Sequence, residues 1–94
     1  MSRRFSFRLY VAGHAPNGAQ AIANLGAFCR THLKDRFEIE VVDVFQEPRR
    51  ALLDAVFMTP MLVVLSPPPT RRVVGTLSQT QALIMALGIA PPAP

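Results

Sequence analysis

Residues 5–17 read FSFRLYVAGHAPN, and this stretch decides the fold. Phe5, Phe7, Leu9 and Val11 alternate with Ser6, Arg8 and Tyr10. Successive side chains of extended backbone point to opposite sides, so a period of two puts the four apolar groups on one face of a strand. Ala12-Gly13-His14-Ala15-Pro16 breaks the alternation. Asn17 can then cap a helix, its side-chain oxygen accepting an orphan backbone N–H. Over residues 18–34, Ala21, Ile22, Leu25, Phe28, Cys29 and Leu33 return at helical spacing. Gly26 weakens that helix by about 1 kcal/mol relative to alanine.

Working outward, residues 37–45 are β-rich. Phe37, Ile39 and Val41 alternate with Glu38 and Glu40, and Val42 and Val44 extend the apolar character to both faces. Apolar residues on both faces predict a central strand at that end. Pro48 fits the first position of a helix, which Ala51, Leu52, Ala55 and Val56 supply with an apolar stripe. A right-handed crossover makes the first two strands parallel. Met61 to Leu65 reads as a third strand closed by Pro67-Pro68-Pro69, and Arg71 to Gly75 as a short antiparallel fourth. Ser78 with Gln81 forms a capping box ahead of an amphipathic helix carrying Leu83, Ile84 and Leu87. The order βαβαββα is the thioredoxin topology, an α/β fold in one domain over residues 1–94. The basic residues 1–4 and the Pro-rich residues 90–94 are expected to be disordered.

Ninety-four residues fit one domain. No apolar run approaches the roughly 20 residues needed to cross a bilayer, and the N-terminus lacks the pattern of a signal peptide. With one cysteine, a reducing cytoplasm is the simplest compartment. The net charge of +4 comes from nine arginines and one lysine set against six carboxylates. That balance favours an acidic partner or nucleic acid. A nucleic-acid binder would more often interleave aromatics with its charges, and the single tyrosine, Tyr10, lies in a strand.

Thioredoxin-like enzymes place paired thiols where the first strand meets its helix, since a helix N-terminus favours the thiolate. Gly13-His14-Ala15-Pro16 stands there instead. Cys29 lies on the apolar stripe of the helix and reads as a small buried hydrophobe. His14 and His32 are too few for a zinc site. No carboxylate pair and no glycine-rich phosphate loop is in evidence. These readings predict no metal, no cofactor and no catalysis. Two alternatives stay open, a redox protein using Cys29 alone and a basic nucleic-acid-binding protein.

Specific residues go further. Leu9-Tyr10-Val11-Ala12-Gly13, Pro16-Asn17, Val42-Asp43-Val44, Thr59-Pro60, and Pro67-Pro68-Pro69 with Arg71-Arg72-Val73-Val74-Gly75 and Leu77-Ser78 resemble the KaiB family. The resemblance implies a non-enzymatic clock or stress-response protein. It implies binding to the N-terminal ring of a KaiC-like ATPase, with a KaiA-like protein or a sensor histidine kinase as further partners. It also implies two folds: a thioredoxin-like, binding-competent monomer, and a βαββααβ ground state that assembles as a tetramer.

The sequence offers a basis for such a switch. The bonds into Pro60, after Thr59, and into Pro67, Pro68 and Pro69 can be cis or trans and interconvert over tens of seconds or longer. Where many relatives carry glycine and aspartate, this chain has Ala86 and Gly88. Alanine favours helix over glycine by about 1 kcal/mol, and Gly88 suits a helix C-cap. Both favour the thioredoxin-like monomer. The expected partner surface comprises His14, Ala15, Asn17, Gly18 and Gln20 at the first loop, with Arg71 and Arg72 facing an acidic ring. Residues 38–42 are a further candidate, for accepting an added strand.

Overall fold

A computed structural model describes residues 4–89. The expected disorder of residues 1–3 and 90–94 lies outside the described residues, and Arg4 is exposed. Strand β1 (Phe5–Val11) occupies the middle of the sheet. It pairs in parallel with β2 (Phe37–Asp43), from Phe5 opposite Phe37 to Val11 opposite Asp43. On its other side it pairs antiparallel with β3 (Met61–Ser66), with an irregularity between Ser6 and Phe7. Strand β4 (Arg71–Val74) closes the order β2-β1-β3-β4, antiparallel to β3. Helices α1 (Pro16–His32), α2 (Pro48–Leu53) and α3 (Thr80–Leu87) complete the expected thioredoxin-type order.

The two faces of the sheet are unequal. On one, Phe5, Phe7, Leu9 and Val11 pack with Ala21, Leu25, Phe28 and Cys29 of α1 and Leu83, Ile84 and Leu87 of α3. Burying each large side chain contributes about 1.5–3 kcal/mol, so this face holds most of the stability. The other face carries a smaller cluster of Tyr10, Val42, Ala51, Met61 and Val63. There α2 spans only six residues and buries Ala51 alone.

Four local expectations are corrected. Strand β2 is an edge, not a central strand, and Val41 is 44% exposed. Asn17 does not cap α1. Pro16 takes the first helical position, Ala15 is the N-cap, and no side chain bonds to the free N–H groups. The Ser78/Gln81 capping box does not form, because α3 starts after Gln79 with no side-chain cap; Ser78 Oγ instead lies 3.4 Å from Thr76 Oγ1. The predicted stripe of the second helix is cut short. Helix α2 ends at Leu53, Ala55 turns out at φ 54°, and Leu52 faces solvent.

Candidate functional site

Four connections meet at one end of the sheet, because the C-terminal ends of β1 and β2 lie beside the start of β3 and the end of β4. Asp43, the last residue of β2, organises two of them. Its Oδ1 accepts the Gly13 N–H at 3.0 Å and the Phe45 N–H at 2.9 Å. The Phe45 ring then covers Gly13, standing 3.4 Å from the position a Cβ would take there. With φ at +56°, Gly13 suits glycine on conformational grounds as well. His14, Ala15, Asn17 and Gln20 are exposed around this loop. Gly18 is not on that surface. It is buried against Val11 and sets how closely α1 approaches β1.

Beside the loop lies an apolar shelf. Phe45, Leu52, Leu53, Phe57 and Met58 are exposed, Leu53 by 80% and Phe57 by 83%. All five belong to α2 or its flanks. Five of the nine large exposed hydrophobics among the described residues fall between residues 45 and 58, and apolar side chains gathered in exposure mark interaction surfaces. The composition carried a signal for it. Ala51-Leu52-Leu53 are three consecutive apolar residues, and a six-residue helix on a sheet can bury only one or two of them. Phe57-Met58 precede a turn, where exposure is the rule.

The expected arginine pair is divided by the strand it lies on. Arg71 faces the two-helix side, half buried, with one guanidinium nitrogen enclosed and without a hydrogen-bond partner among the described residues. Arg72 points to the α2 side. It donates to the Asp54 carbonyl and approaches Met61 Sδ at 4.0 Å. Asp54 follows α2 and gathers further partners. Its Oδ2 accepts the Tyr10 hydroxyl at 2.5 Å and Arg8 Nη1 at 3.0 Å. The Tyr10 hydrogen bond, then the Arg8 guanidinium, hold the Asp54 carboxyl below its ordinary value. Burial pushes the Tyr10 phenol up, and its bond to Asp54 adds to the shift. Glu40 accepts from Arg50 at 2.7 and 2.8 Å and from Arg8 at 3.1 Å, which lowers its carboxyl to about 2.

The turn residues sit at the same end or opposite it. Thr59-Pro60, Ser66-Pro67 and Pro68-Pro69 are cis peptides. The Gly75 N–H donates to the Pro60 carbonyl at 2.9 Å, tying the end of β4 to the turn before β3. Ala86 lies within α3, and Gly88 caps it at φ 66°, as expected. Cys29 is fully buried, and burial pushes its thiol up to about 12. Burial and the raised thiol both oppose thiolate formation, the species the single-cysteine reading needs. Among the described residues, no three His, Cys, Asp or Glu side chains are grouped to hold a metal ion. No helix there is long and apolar enough to cross a membrane.

Comparison with known proteins places these features. The chain is similar to the circadian clock protein KaiB3 of Synechocystis sp., 36% identical over 88 residues, which covers 94% of this chain and 86% of the relative. It is 33% identical over 89 residues to the circadian clock oscillator protein KaiB of Picosynechococcus sp., covering 95% and 86%. Among solved structures, the N-terminal domain of Synechococcus elongatus SasA superposes with a TM-score of 0.77 at 16% identity, over 94% of this chain and 87% of that one. Mitochondrial thioredoxin 3 of Saccharomyces cerevisiae gives 0.72 at 14% identity, over 92% and 78%. These two likenesses show a thioredoxin-like fold. Residues 8–89 match the family model described as the KaiB domain, and the chain belongs to the KaiB family.

Proposed function

We propose that this protein is a non-enzymatic binding module that docks on a KaiC-type ring ATPase and so regulates a clock or stress response. The observation that carries the reading is the exposed shelf of Phe45, Leu52, Leu53, Phe57 and Met58 beside the loop that bears His14. In a thioredoxin-like enzyme that loop would carry thiols. Here it is bound by Asp43 to the same surface, leaving shape and apolar area as its means of recognition. Exposed His14, Ala15, Asn17 and Gln20 form the rim, and Arg49 adds positive charge at the edge of α2. Arg72, exposed on the α2 side and bonded to the Asp54 carbonyl, adds charge beside this surface, while Arg71 lies on the opposite face of the sheet.

The related fold of the SasA N-terminal domain supports a competitor of the same shape, such as a sensor histidine kinase carrying a domain of this kind. A KaiA-like protein is a further partner of the bound form, which acts in the cytoplasm. The monomeric thioredoxin-like state binds. A rearranged C-terminal half, including Pro67, Pro68, Pro69, Ala86 and Gly88, would build the alternative tetramer.

The test is retention of the protein on a purified KaiC-type ATPase with ATP, with ADP and without nucleotide. Wild type is retained in at least one state. Leu53→Ser and Phe57→Ser, at solvent-exposed positions, abolish retention with unchanged thermal stability. Absence of wild-type retention in every state overturns the proposal.

A further inference from the structure

We infer that Asp54 is the positioning residue of the docking shelf, and that Arg72 makes the shelf conditional on β4 being paired in the sheet. The inference rests on the docking reading given above. Its basis is an imbalance in how the shelf is held. Helix α2 buries Ala51 alone, and the segment after it leaves Phe57 and Met58 in solvent. Within residues 52–58, Val56 is the one apolar side chain packed against the Tyr10, Val42, Ala51, Met61 and Val63 cluster. Polar contacts supply what is missing, and they converge on Asp54.

The carboxylate of Asp54 receives Arg8 and Tyr10 from the central strand, and its carbonyl receives Arg72 from the outer strand. One residue between Leu53 and Phe57 is thus tied to both β1 and β4. The Arg50 carbonyl lies 3.2 Å from the same Tyr10 hydroxyl, which extends the clamp one turn back into α2. Backbone geometry then carries the constraint forward. Ala55 takes φ 54°, and the Val56 N–H donates to the Ala51 carbonyl at 2.8 Å. That reversal aims the next two residues outward. Leu52 and Leu53 precede the clamp and Phe57 and Met58 follow it, so both halves of the shelf take their direction from Asp54.

Arg72 gives the clamp its second property. It reaches Asp54 only because β4 places it in register opposite Val63, on the α2 side of the sheet. Any state in which β4 leaves β3 withdraws Arg72 and unties the carbonyl of Asp54. The docking surface then loosens although none of its own residues has changed.

Amide hydrogen exchange and partner affinity test this together on the full chain, in wild type and in Asp54→Ala, Asp54→Asn, Tyr10→Phe and Arg72→Ala. Asp54→Ala and Arg72→Ala should raise exchange at Val56 tenfold or more while Phe7 and Leu9 stay as protected as in wild type. Both should weaken binding to the KaiC-type ATPase by tenfold or more. Asp54→Asn keeps an acceptor for Tyr10 and should recover most of the loss. Wild-type exchange and affinity in Arg72→Ala overturn the role of β4. An equal rise in exchange across β1 shows a general structural role and overturns the positioning role. Should Asp54→Ala fail to fold, Tyr10→Phe and Arg72→Ala decide the matter. If wild type binds no ATPase, the docking reading fails, and the exchange measurements still decide whether Asp54 holds residues 52–58.

Discussion

Gly18 and Val11 meet at the limit of close approach: a methyl group on Gly18 would stand 3.0 Å from the Val11 Cβ. The first turn of α1 rests directly on the end of β1, and a methyl on Gly18 fits only if Val11 or the helix gives by a few tenths of an ångström. Gly26, two turns on, is different, since a methyl there meets only the mobile end of Arg30 at 3.2 Å. Gly18→Ala should destabilise by about 1 kcal/mol, overpacking outweighing the gain in helix propensity. Gly26→Ala should stabilise by about 0.5–1 kcal/mol. Urea unfolding of both variants checks the contrast, which fails if the two shifts share a sign.

Acid should weaken the fold through two carboxylates. Arg50 and then Arg8 hold Glu40 at about 2, against an ordinary value of 4.5. Tyr10 and Arg8 hold Asp54 below its ordinary value. A group with a depressed folded pKa stabilises the fold above its unfolded pKa, and that contribution is lost as pH falls through the folded value. Stability should therefore decline from about pH 4.5 toward pH 2. The pair at Glu40 is exposed and screened by solvent, so its share of this loss is small. Urea midpoints between pH 7 and pH 2.5 should fall less steeply in the Glu40→Gln, Asp54→Asn double variant. An unchanged slope would assign the acid response to other groups.

Burial of Cys29 sets a chemical expectation. Its thiol sits in the core with its pKa pushed up to about 12. A thiol probe at pH 8 should react with native protein about 100-fold or more slowly than with the urea-unfolded chain, because reaction waits on opening of the core. Rapid labelling of the native state would restore a redox reading.

Helix α3 should answer to two positions near its end. Ala86→Gly removes helix propensity worth about 1 kcal/mol. Gly88→Ala puts a Cβ on a left-handed residue and costs about 1 kcal/mol. Each should lower the thermal midpoint by several degrees. Light scattering on Ala86→Gly adds a second reading, since growth to tetramer mass follows if the C-terminal half rearranges as proposed. A raised midpoint in either variant would contradict the cap geometry.

Much of the fold was legible in short-range pattern. Alternation located β1 and the start of β2, the apolar run from Met61 to Leu65 located β3, Pro48 marked the start of α2, and Gly88 marked the end of α3. What stayed hidden depends on distant partners. Val41, Val42 and Val44 show that both sides of a strand are apolar, but whether a neighbour covers each side is settled elsewhere in the chain. Here no strand does so on the outer edge of β2 among the described residues. Asn17 and Ser78 are good caps that yielded to backbone geometry, since Pro16 already occupied the first helical position and α3 began after Gln79. The loop around His14 was legible because it stands where thiols would be. The shelf was not, because Leu52 and Leu53 look like core residues until the brevity of α2 is known. Asp54 carries no signal of its own in the sequence, because only the sheet brings Arg8, Tyr10 and Arg72 to it.

The order β2-β1-β3-β4 also bears on how the chain emerges from the ribosome. Strand β1, α1 and β2 are complete by Asp43, and they supply the centre and one border of the sheet. The free side of β1 then waits for residues 61–66. Domains are made from the N-terminus forward at about 5–20 residues per second, so residues 5–43 leave the ribosome before residues 61–87. Strand β3 therefore emerges after the strand it must pair with, and β4 and α3 follow it.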